Sequence, residues 1–225
     1  MGGTMKQALL VGAGPVDPAQ LAAELAADPA LVIAADAGGH YFLTAQPLPL
    51  RLPDFLLGDF DSLEPSERQR LIDLGASLRQ FPAQKDETDL ELALDLAIAE
   101  GASEIRILGA LGGRIDHTLG NIGLLLNAAE RGVRARLLDP GHEIWLTTDR
   151  AELTARPGWA VSLAPLGLRV RGVRTAGLLY PLCGEDLSIT KPRGIHNEFV
   201  TGTATATVEL EEGILLIIYF LAAFR

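Results

Sequence analysis

The stretch FLLGDFDS, residues 55–62, decides the fold class of the first half of the chain. Its apolar residues 55–57 form a short run typical of a buried strand, and a glycine and an aspartate follow directly. Other short apolar runs also end at glycine or a carboxylate, namely residues 8–11, 31–35 and 105–108. Segments of helical composition separate these runs. The alternation predicts strands and crossover helices in a largely parallel sheet.

Two amphipathic helices are predicted directly after acidic loops. The first has apolar residues at helical spacing between residues 90 and 98, with Asp86 or Thr88 as its cap and a glycine to end it. The second runs from about residue 118 to residue 131. Because open α/β sheets bind ligands outside the carboxyl ends of their strands, we expect these loops to converge. Residues 1–139 are therefore predicted to form a Rossmann-like α/β domain with flanking helices.

The composition and the length of the apolar segments change after the DPG turn at residues 139–141. The following segments are short, rich in valine, leucine, isoleucine and threonine, and separated by glycine and proline; they are residues 143–148, 160–163, 168–173 and 203–210. Alternation of threonine with alanine or valine in the last segment suits a strand with one face in water. Residues 214–220 suit its buried hairpin partner. An antiparallel β-sandwich domain is predicted for residues 140–225.

Composition limits the partners that the chain can have. The formal net charge of -10 argues against a nucleic-acid surface, although magnesium could bridge its carboxylates to nucleotide phosphates. The single cysteine, Cys183, cannot form an internal disulfide and is expected to be a small buried residue. The longest apolar run, residues 214–224, is shorter than the roughly 20 residues of a membrane helix. We therefore expect a cytoplasmic protein without nucleic-acid or membrane partners.

The strongest single site is the GDFDS segment itself. Asp59 and Asp61 flank Phe60, so on an extended backbone their carboxylates would share one side and could hold one divalent cation. The alternative is a structural turn followed by a helix cap at Ser62.

A second polar loop, KDETD at residues 85–89, stands where the first predicted helix begins. Backbone N–H groups and the positive end of the helix would meet a phosphate there. The alternatives are ordinary capping by Asp86 or Thr88 and, for Lys85, a solvated surface charge.

A third loop, GGRIDH at residues 112–117, joins a strand to a helix. Its glycines let the backbone approach a ligand, Arg114 can meet phosphate oxygens, and Asp116 adds a carboxylate. His117 is either a base or ligand, or a hydrogen-bonding cap. Together the three loops predict a magnesium–nucleotide site for phosphoryl-type transfer. The GAG segment at residues 12–14 is a weak signal, because it lacks the third glycine of the dinucleotide fingerprint.

Four segments in the first half resemble the thiamine pyrophosphokinase family in order and spacing: ADAGG at 35–39, GDFDS at 58–62, KDETD at 85–89 and GGRIDH at 112–117. Two more extend the resemblance into the second half, GLLYPL at 177–182 and GIHNEF at 194–199. The resemblance therefore covers nearly the whole chain.

The resemblance implies an N-terminal domain that binds Mg-ATP, a C-terminal domain that contributes thiamine contacts, and a homodimer with its active site shared between subunits. It also implies transfer of pyrophosphate from ATP to the hydroxyl of thiamine, giving thiamine diphosphate and AMP. The residues that it assigns to catalysis are Asp59, Asp61, Asp86, Asp89, Arg114 and Asp116, with magnesium held by Asp59, Asp61 and Asp89. Those that it assigns to binding ATP or thiamine are Asp36, Gly38, Gly39, Ser62, Lys85, Thr88, Gly112, Gly113, His117, His196, Asn197 and Phe199.

Two departures and two alternatives accompany this resemblance. The family commonly has serine where this chain has His196, and Ala37 interrupts its Ala-Asp-Gly-Gly segment. Either Asp86 or Asp116 could accept the hydroxyl proton. The alternatives are a pyrophosphokinase for another hydroxymethyl heterocycle, such as a pterin, and a nucleotide or thiamine sensor without turnover.

Overall fold

A computed structural model describes residues 6–45 and 51–223. The chain divides into two compact units, Met1–Pro140 and Gly141–Arg225. The apolar run predicted at 214–224 ends at a residue outside the described ranges. In the described part of the chain, no helix combines the length and the hydrophobicity needed to span a membrane.

Six strands lie in the described residues of the first unit: Gln7–Val11 is β1, Leu31–Ala35 is β2, Phe55–Gly58 is β3, Ser77–Gln80 is β4, Glu104–Leu108 is β5 and Arg134–Asp139 is β6. They lie in the order β4-β3-β2-β1-β5-β6 and pair in parallel throughout. Strand β2 is buried along its whole length, as expected where helices cover both faces of a parallel sheet. The predicted parallel α/β class is confirmed.

The helices of this unit are α1 (Pro18–Ala26), α2 (Tyr41–Thr44), α3 (Pro65–Asp73), α4 (Asp89–Ala99) and α5 (Ile115–Glu130), with a 3-10 helix at Asp36–His40. Local capping accounts for where two of them begin. The Asp17 carboxylate accepts a hydrogen bond from the Gln20 N–H at 2.8 Å, and the Thr88 hydroxyl accepts one from the Glu91 N–H at 3.2 Å. Thr88 is thus the cap of α4, one of the two candidates that the sequence offered.

The second unit contains two antiparallel sheets. One has the order β7-β13-β9, formed by His142–Thr147, Leu215–Leu221 and Trp159–Pro165. The other has the order β11-β10-β12-β8, formed by Cys183–Ser188, Arg169–Ala176, Thr205–Glu209 and Arg150–Thr154. Side chains from both sheets, including Val161, Val173, Val208 and Ile217, share one apolar core. This packing is that of a β-sandwich. The hairpin predicted between residues 203–210 and 214–220 was wrong, because β12 and β13 pair with other strands and lie in different sheets.

Burial in the second unit agrees with one expectation and overturns another. Ala206 and Val208 on β12 are buried while Thr205 is exposed, as the alternating sequence predicted. Cys183, by contrast, is exposed on β11, so the expectation of a buried cysteine was wrong. It begins β11, an edge strand whose pairing partner among the described residues is β10.

Candidate active site

The predicted convergence of loops is realised at the carboxyl ends of β1, β2, β3 and β5. These loops and the starts of α4 and α5 enclose a pocket of about 640 Å³ within the first unit. The predicted site residues that line it are Asp36, Asp59, Asp61, Ser62, Lys85, Thr88, Asp89, Gly112, Gly113, Arg114 and His117. The position is the one where open α/β sheets bind ligands.

Three aspartates form a compact cluster in this pocket. Carboxylate oxygens of Asp36, Asp59 and Asp61 lie within 4.8 Å of one another. Asp36 is 6% exposed, and its Oδ1 has no hydrogen-bond partner among the described residues. Burial raises the pKa of Asp36, against the opposing effects of the polar groups of Ser62 and of the Ala37 backbone. Hard oxygens at this spacing, one of them unsatisfied, fit a divalent cation of the magnesium or calcium type.

The backbone between Asp59 and Asp61 differs from the extended form that the sequence suggested. Phe60 has a φ of 62°, in the left-handed region, and the Asp61 N–H donates to Asp59 Oδ1 at 3.2 Å. A tight turn therefore brings the two carboxylates together, rather than the alternation of a strand. The Ser62 hydroxyl donates to Asp61 Oδ1 at 2.7 Å, and α3 begins only at Pro65. Ser62 supports the turn and does not cap the helix.

Lys85 lies inside the acidic pocket and is not the solvated surface charge of the alternative interpretation. Its side chain is 11% exposed, and its Nζ donates to Asp89 Oδ1 at 2.8 Å and lies 3.8 Å from Asp59 Oδ2. Burial acts to lower the pKa of Lys85, but the hydrogen bond to Asp89 and the charges of Asp59 and Asp36 outweigh it, so the pKa is raised. The lysine stays protonated among the carboxylates.

The cluster spaced for a cation differs in one member from the metal set predicted by resemblance. Asp36 accompanies Asp59 and Asp61, whereas Asp89 is hydrogen-bonded to Lys85. The difference arises because the Lys85 ammonium occupies the space beside the Asp89 carboxylate. A metal contact for Asp89 stays a prediction.

Arg114 and Asp116 face each other at the start of α5. Arg114 Nη2 donates to Asp116 Oδ2 at 2.5 Å and its Nε donates to Oδ1 at 3.1 Å, in a pair that is largely exposed. The hydrogen bonds from Arg114 lower the pKa of Asp116 to about 2. Asp116 Oδ1 also accepts from the His117 N–H, so a carboxylate within the first turn of α5 binds one of its free N–H groups. While this pair persists, Asp116 is a weak base.

Four predicted residues of the first unit lie outside the pocket lining. Asp86 is exposed within the KDETD loop, and Asp116 faces Arg114. Gly38 and Gly39 are buried in the 3-10 helix, where a Cβ on Gly38 would come within 2.0 Å of the Val11 carbonyl oxygen. Glycine at 38 thus allows the 3-10 helix to pack on β1. The predicted ligand contacts of these four residues stay predictions.

Sequence reasoning missed part of the lining, chiefly the GAG segment at 12–14. The Gly14 N–H donates to the Gly109 carbonyl at 2.9 Å, so the loops after β1 and β5 meet backbone to backbone. The further lining residues are Gly12, Ala13, Gly14, Pro15, Ala35, Ala83, Glu87, Leu90, Gly109, Ala110 and Asn121. The available signal was positional: glycines at the ends of two neighbouring strands predict a close approach of loops even without a complete fingerprint.

The three predicted thiamine residues lie together in the second unit. Asn197 is 6% exposed, and its Oδ1 accepts hydrogen bonds from the N–H groups of Tyr180 and Glu198 while its Nδ2 donates to the Tyr180 carbonyl. His196 has a φ of 59°, and its N–H donates to the Ser162 hydroxyl at 2.9 Å. The half-buried Phe199 ring lies 5.9 Å from the Tyr219 ring. In this structure, Asn197 joins the 177–182 and 194–199 segments.

Comparison with known proteins places this geometry in a family. The model of the thiamin pyrophosphokinase catalytic domain matches residues 22–137, and that of the thiamin pyrophosphokinase vitamin B1 binding domain matches residues 146–215. The thiamine pyrophosphokinase of Bacillus subtilis (strain 168) is 32% identical over 170 residues, which are 74% of this chain and 78% of the relative.

Solved structures agree along nearly the whole chain. The crystal structure of thiamine pyrophosphokinase from Bacillus subtilis has a TM-score of 0.83 at 28% identity, covering 96% of this chain and 99% of that one. The crystal structure of the Geobacillus thermodenitrificans thiamin pyrophosphokinase has a TM-score of 0.75 at 31% identity, covering 95% and 97%. The acidic pocket, the fold of each unit and these matches lead to one conclusion: the chain belongs to the thiamin pyrophosphokinase family.

Proposed function

We propose that this protein transfers the terminal diphosphate of ATP to the hydroxyl group of thiamine, producing thiamine diphosphate and AMP. The observation that carries the proposal is the pocket at the strand ends of a family member, where three carboxylates are spaced for one cation beside a buried lysine. Phosphoryl-type transfer needs little covalent help from a protein, so positioning and electrostatics account for most of the catalysis.

Asp36, Asp59 and Asp61 would hold Mg²⁺ with the ATP phosphates, and the bound ion would supply neutralisation of their negative charge. Lys85 adds a fixed positive charge on the pocket wall, held there by Asp89. Arg114 can exchange its exposed partner Asp116 for phosphate oxygens, since a guanidinium binds either group through two parallel N–H donors.

In the reaction, the thiamine oxygen attacks the β-phosphorus in line, a new P–O bond forms, and the bond from that phosphorus to the oxygen bridging the α-phosphate breaks. AMP leaves with that oxygen, and a carboxylate takes the hydroxyl proton. Asp86 and Asp116 are the two candidate bases. Movement of Arg114 to a phosphate would remove the hydrogen bonds that keep the pKa of Asp116 low, and would thereby make Asp116 a better proton acceptor.

The thiamine ring is assigned to the second unit, with Phe199 as the aromatic face for its thiazolium cation. The relatives named above are thiamine pyrophosphokinases, and no observation favours a pterin substrate or a sensor without turnover. Incubation with Mg-ATP and thiamine, with a hydroxymethyl pterin, or with no acceptor tests all three. The proposal expects AMP to form only with thiamine. Formation of AMP with the pterin but not with thiamine, or no formation of AMP with either acceptor, would refute it.

We also propose a homodimer with the active site shared between subunits, in a cytoplasmic setting. The family resemblance implies the dimer, and the second unit exposes apolar side chains that a partner could cover, including Leu168, Tyr180 and Ile189. Light scattering of the active protein should give twice the mass of the chain. A fully active monomer would contradict the shared site.

A further inference from the structure

Phe60 holds an unfavourable backbone conformation at the centre of the acidic cluster. Among the described residues, the non-glycine positions with positive φ are Asp28, Asp36, Phe60 and His196. Two of these four, Asp36 and Phe60, belong to the segments that build the cluster. A left-handed φ is disfavoured for any side chain and is uncommon for a bulky one. Such a conformation persists only where the surrounding structure enforces it.

The Phe60 side chain is anchored in the core. Phe60 is 7% exposed and belongs to the apolar core of the first unit, with Leu56, Leu63 and Leu71. The Arg68 guanidinium lies 5.5 Å from the ring centroid and adds a cation–π contact. The residues on either side, Asp59 and Asp61, line the pocket instead. One residue thus points into the core while its two neighbours present their carboxylates to the pocket.

The same turn lies close against Asp36. Gly58, at the end of β3, has a φ of 151°, and a Cβ there would lie 3.2 Å from the Asp36 Cβ. A movement of the turn would therefore change the distances between Asp36 and the other two carboxylates. The geometry of all three ligating groups depends on how firmly residues 58–61 are held.

We propose that Phe60 is a positioning residue for the cation site: its buried ring fixes the left-handed turn that keeps Asp59 and Asp61 close to Asp36. The inference deepens the proposed function, because it rests on the cation site described there. Phe60 contributes in two ways: its ring anchors the turn, and its backbone has an unfavourable conformation. Phe60→Ala removes the ring alone, whereas Phe60→Gly removes the ring and also relieves the backbone.

The test measures Mn²⁺ binding to the ligand-free protein by electron paramagnetic resonance, together with thermal unfolding. Phe60→Ala removes the anchor and should weaken Mn²⁺ binding about tenfold, whereas Phe60→Leu retains an apolar anchor and should stay within about threefold of the unmodified protein. Leu25→Ala is the matched control, because Leu25 on α1 belongs to the same apolar core. It should lower the unfolding temperature without changing the Mn²⁺ affinity of the folded protein.

Phe60→Gly tests the backbone contribution. Glycine accepts a positive φ without strain, so this variant should unfold at a temperature no lower than Phe60→Ala, the reverse of the usual order at helix or strand positions. Three results would overturn the inference: wild-type Mn²⁺ affinity in Phe60→Ala, an equal loss of affinity in Leu25→Ala, or no Mn²⁺ binding by the unmodified protein. Formation of AMP and thiamine diphosphate by the unmodified protein is measured separately, so failure here is distinguishable from failure of the proposed reaction.

Discussion

Asp36 in the first unit and Asn197 in the second are equally buried, each 6% exposed, yet their polar atoms are used differently. Asp36 Oδ1 has no hydrogen-bond partner among the described residues, while the Asn197 amide makes three hydrogen bonds to the backbone at Tyr180 and Glu198. An unsatisfied buried acceptor costs stability, and a satisfied one does not. The unbonded oxygen of Asp36 suits a group that binds a ligand, and the fully bonded amide of Asn197 suits a group that stabilises the fold.

Charged side chains show the same contrast. Glu143 in the second unit is 4% exposed and forms an ion pair with Arg156, whose guanidinium also lies 4.9 Å from the centroid of the Tyr219 ring. In the first unit, Lys85 is the cation that lies against Asp59 and Asp89, and the neighbouring Asp36 adds more negative charge. The buried Glu143 thus has a cationic partner, whereas the pocket keeps an excess of carboxylates that a cation would relieve.

The largest expected effect comes from removing a carboxylate of the pocket. Asp59→Asn and Asp61→Asn should each lower turnover at least about a hundredfold, close to 2.7 kcal/mol, because each loses a cation ligand while the fold remains intact. Asp73→Asn on α3 is the matched control, since Asp73 is exposed and bonds only to Gln69 within the described contacts. Steady-state kinetics and a melting curve check the prediction. Near-normal turnover in either pocket variant would remove the cation role.

In the second unit, we expect replacement of the buried Asn197 to reduce stability rather than turnover. Asn197→Ala should lower the free energy of unfolding by about 2 kcal/mol, because it deletes three hydrogen bonds, two of which join the 177–182 and 194–199 segments. Asn127→Ala on α5 is the control, since Asn127 Oδ1 has no partner among the described residues, and it should cost less. Chemical denaturation compares the two. Equal stability of the Asn197 variant and the unmodified protein would contradict a structural role.

Phe199 tests whether the second unit also contacts substrate. Phe199→Ala should raise the Michaelis constant for thiamine about tenfold, or about 1 to 2 kcal/mol, with that for ATP nearly unchanged. Leu187→Ala, in the core of the same unit, should reduce stability without selectivity between substrates. If Phe199 is only a core residue, its replacement should cost about 3 to 5 kcal/mol of stability and weaken both substrates together. Two Michaelis constants and a melting curve distinguish these results.

The smallest expected effect is a gain. Asp36→Asn should stabilise the ligand-free protein by about 1 kcal/mol at neutral pH, because it replaces a buried carboxylate, whose pKa burial raises, with a neutral group of similar shape. The unfolding temperature in the absence of metal and nucleotide should rise by about 2 to 4 °C. A lower unfolding temperature would mean that Asp36 is a structural group like Asn197.

The sequence predicted four strands of the first unit from their buried, apolar residues. Strands expected at 8–11, 31–35, 55–57 and 105–108 agree with β1, β2, β3 and β5 to within one residue at either end. Strand β4 was not predicted, since all four of its residues are exposed and no apolar pattern marks them. An edge strand of this kind is defined by its pairing with β3, which a local pattern does not contain.

The site was predictable as a set of loops and less so as a set of contacts. Carboxylates at neighbouring strand ends indicated where the pocket would lie, since parallel strands bring those ends together. The left-handed φ of Phe60 could not be predicted, because spacing alone fits both a strand and a turn. Nor could the sequence show that Lys85 would form a hydrogen bond with Asp89, or that Asp36 would lie beside Asp59 and Asp61. Which carboxylates come together depends on packing in three dimensions.

The central claim is that the carboxylate-rich pocket of the first unit catalyses diphosphate transfer from ATP to thiamine. It is tested most directly by supplying ATP labelled in its β-phosphate, with Mg²⁺ and thiamine, and locating the label among the products. The account predicts that the label appears in thiamine diphosphate, that AMP forms in equal amount, and that removal of Mg²⁺ with a chelator stops both. Label retained in ADP beside thiamine monophosphate, or in unreacted ATP, would contradict it.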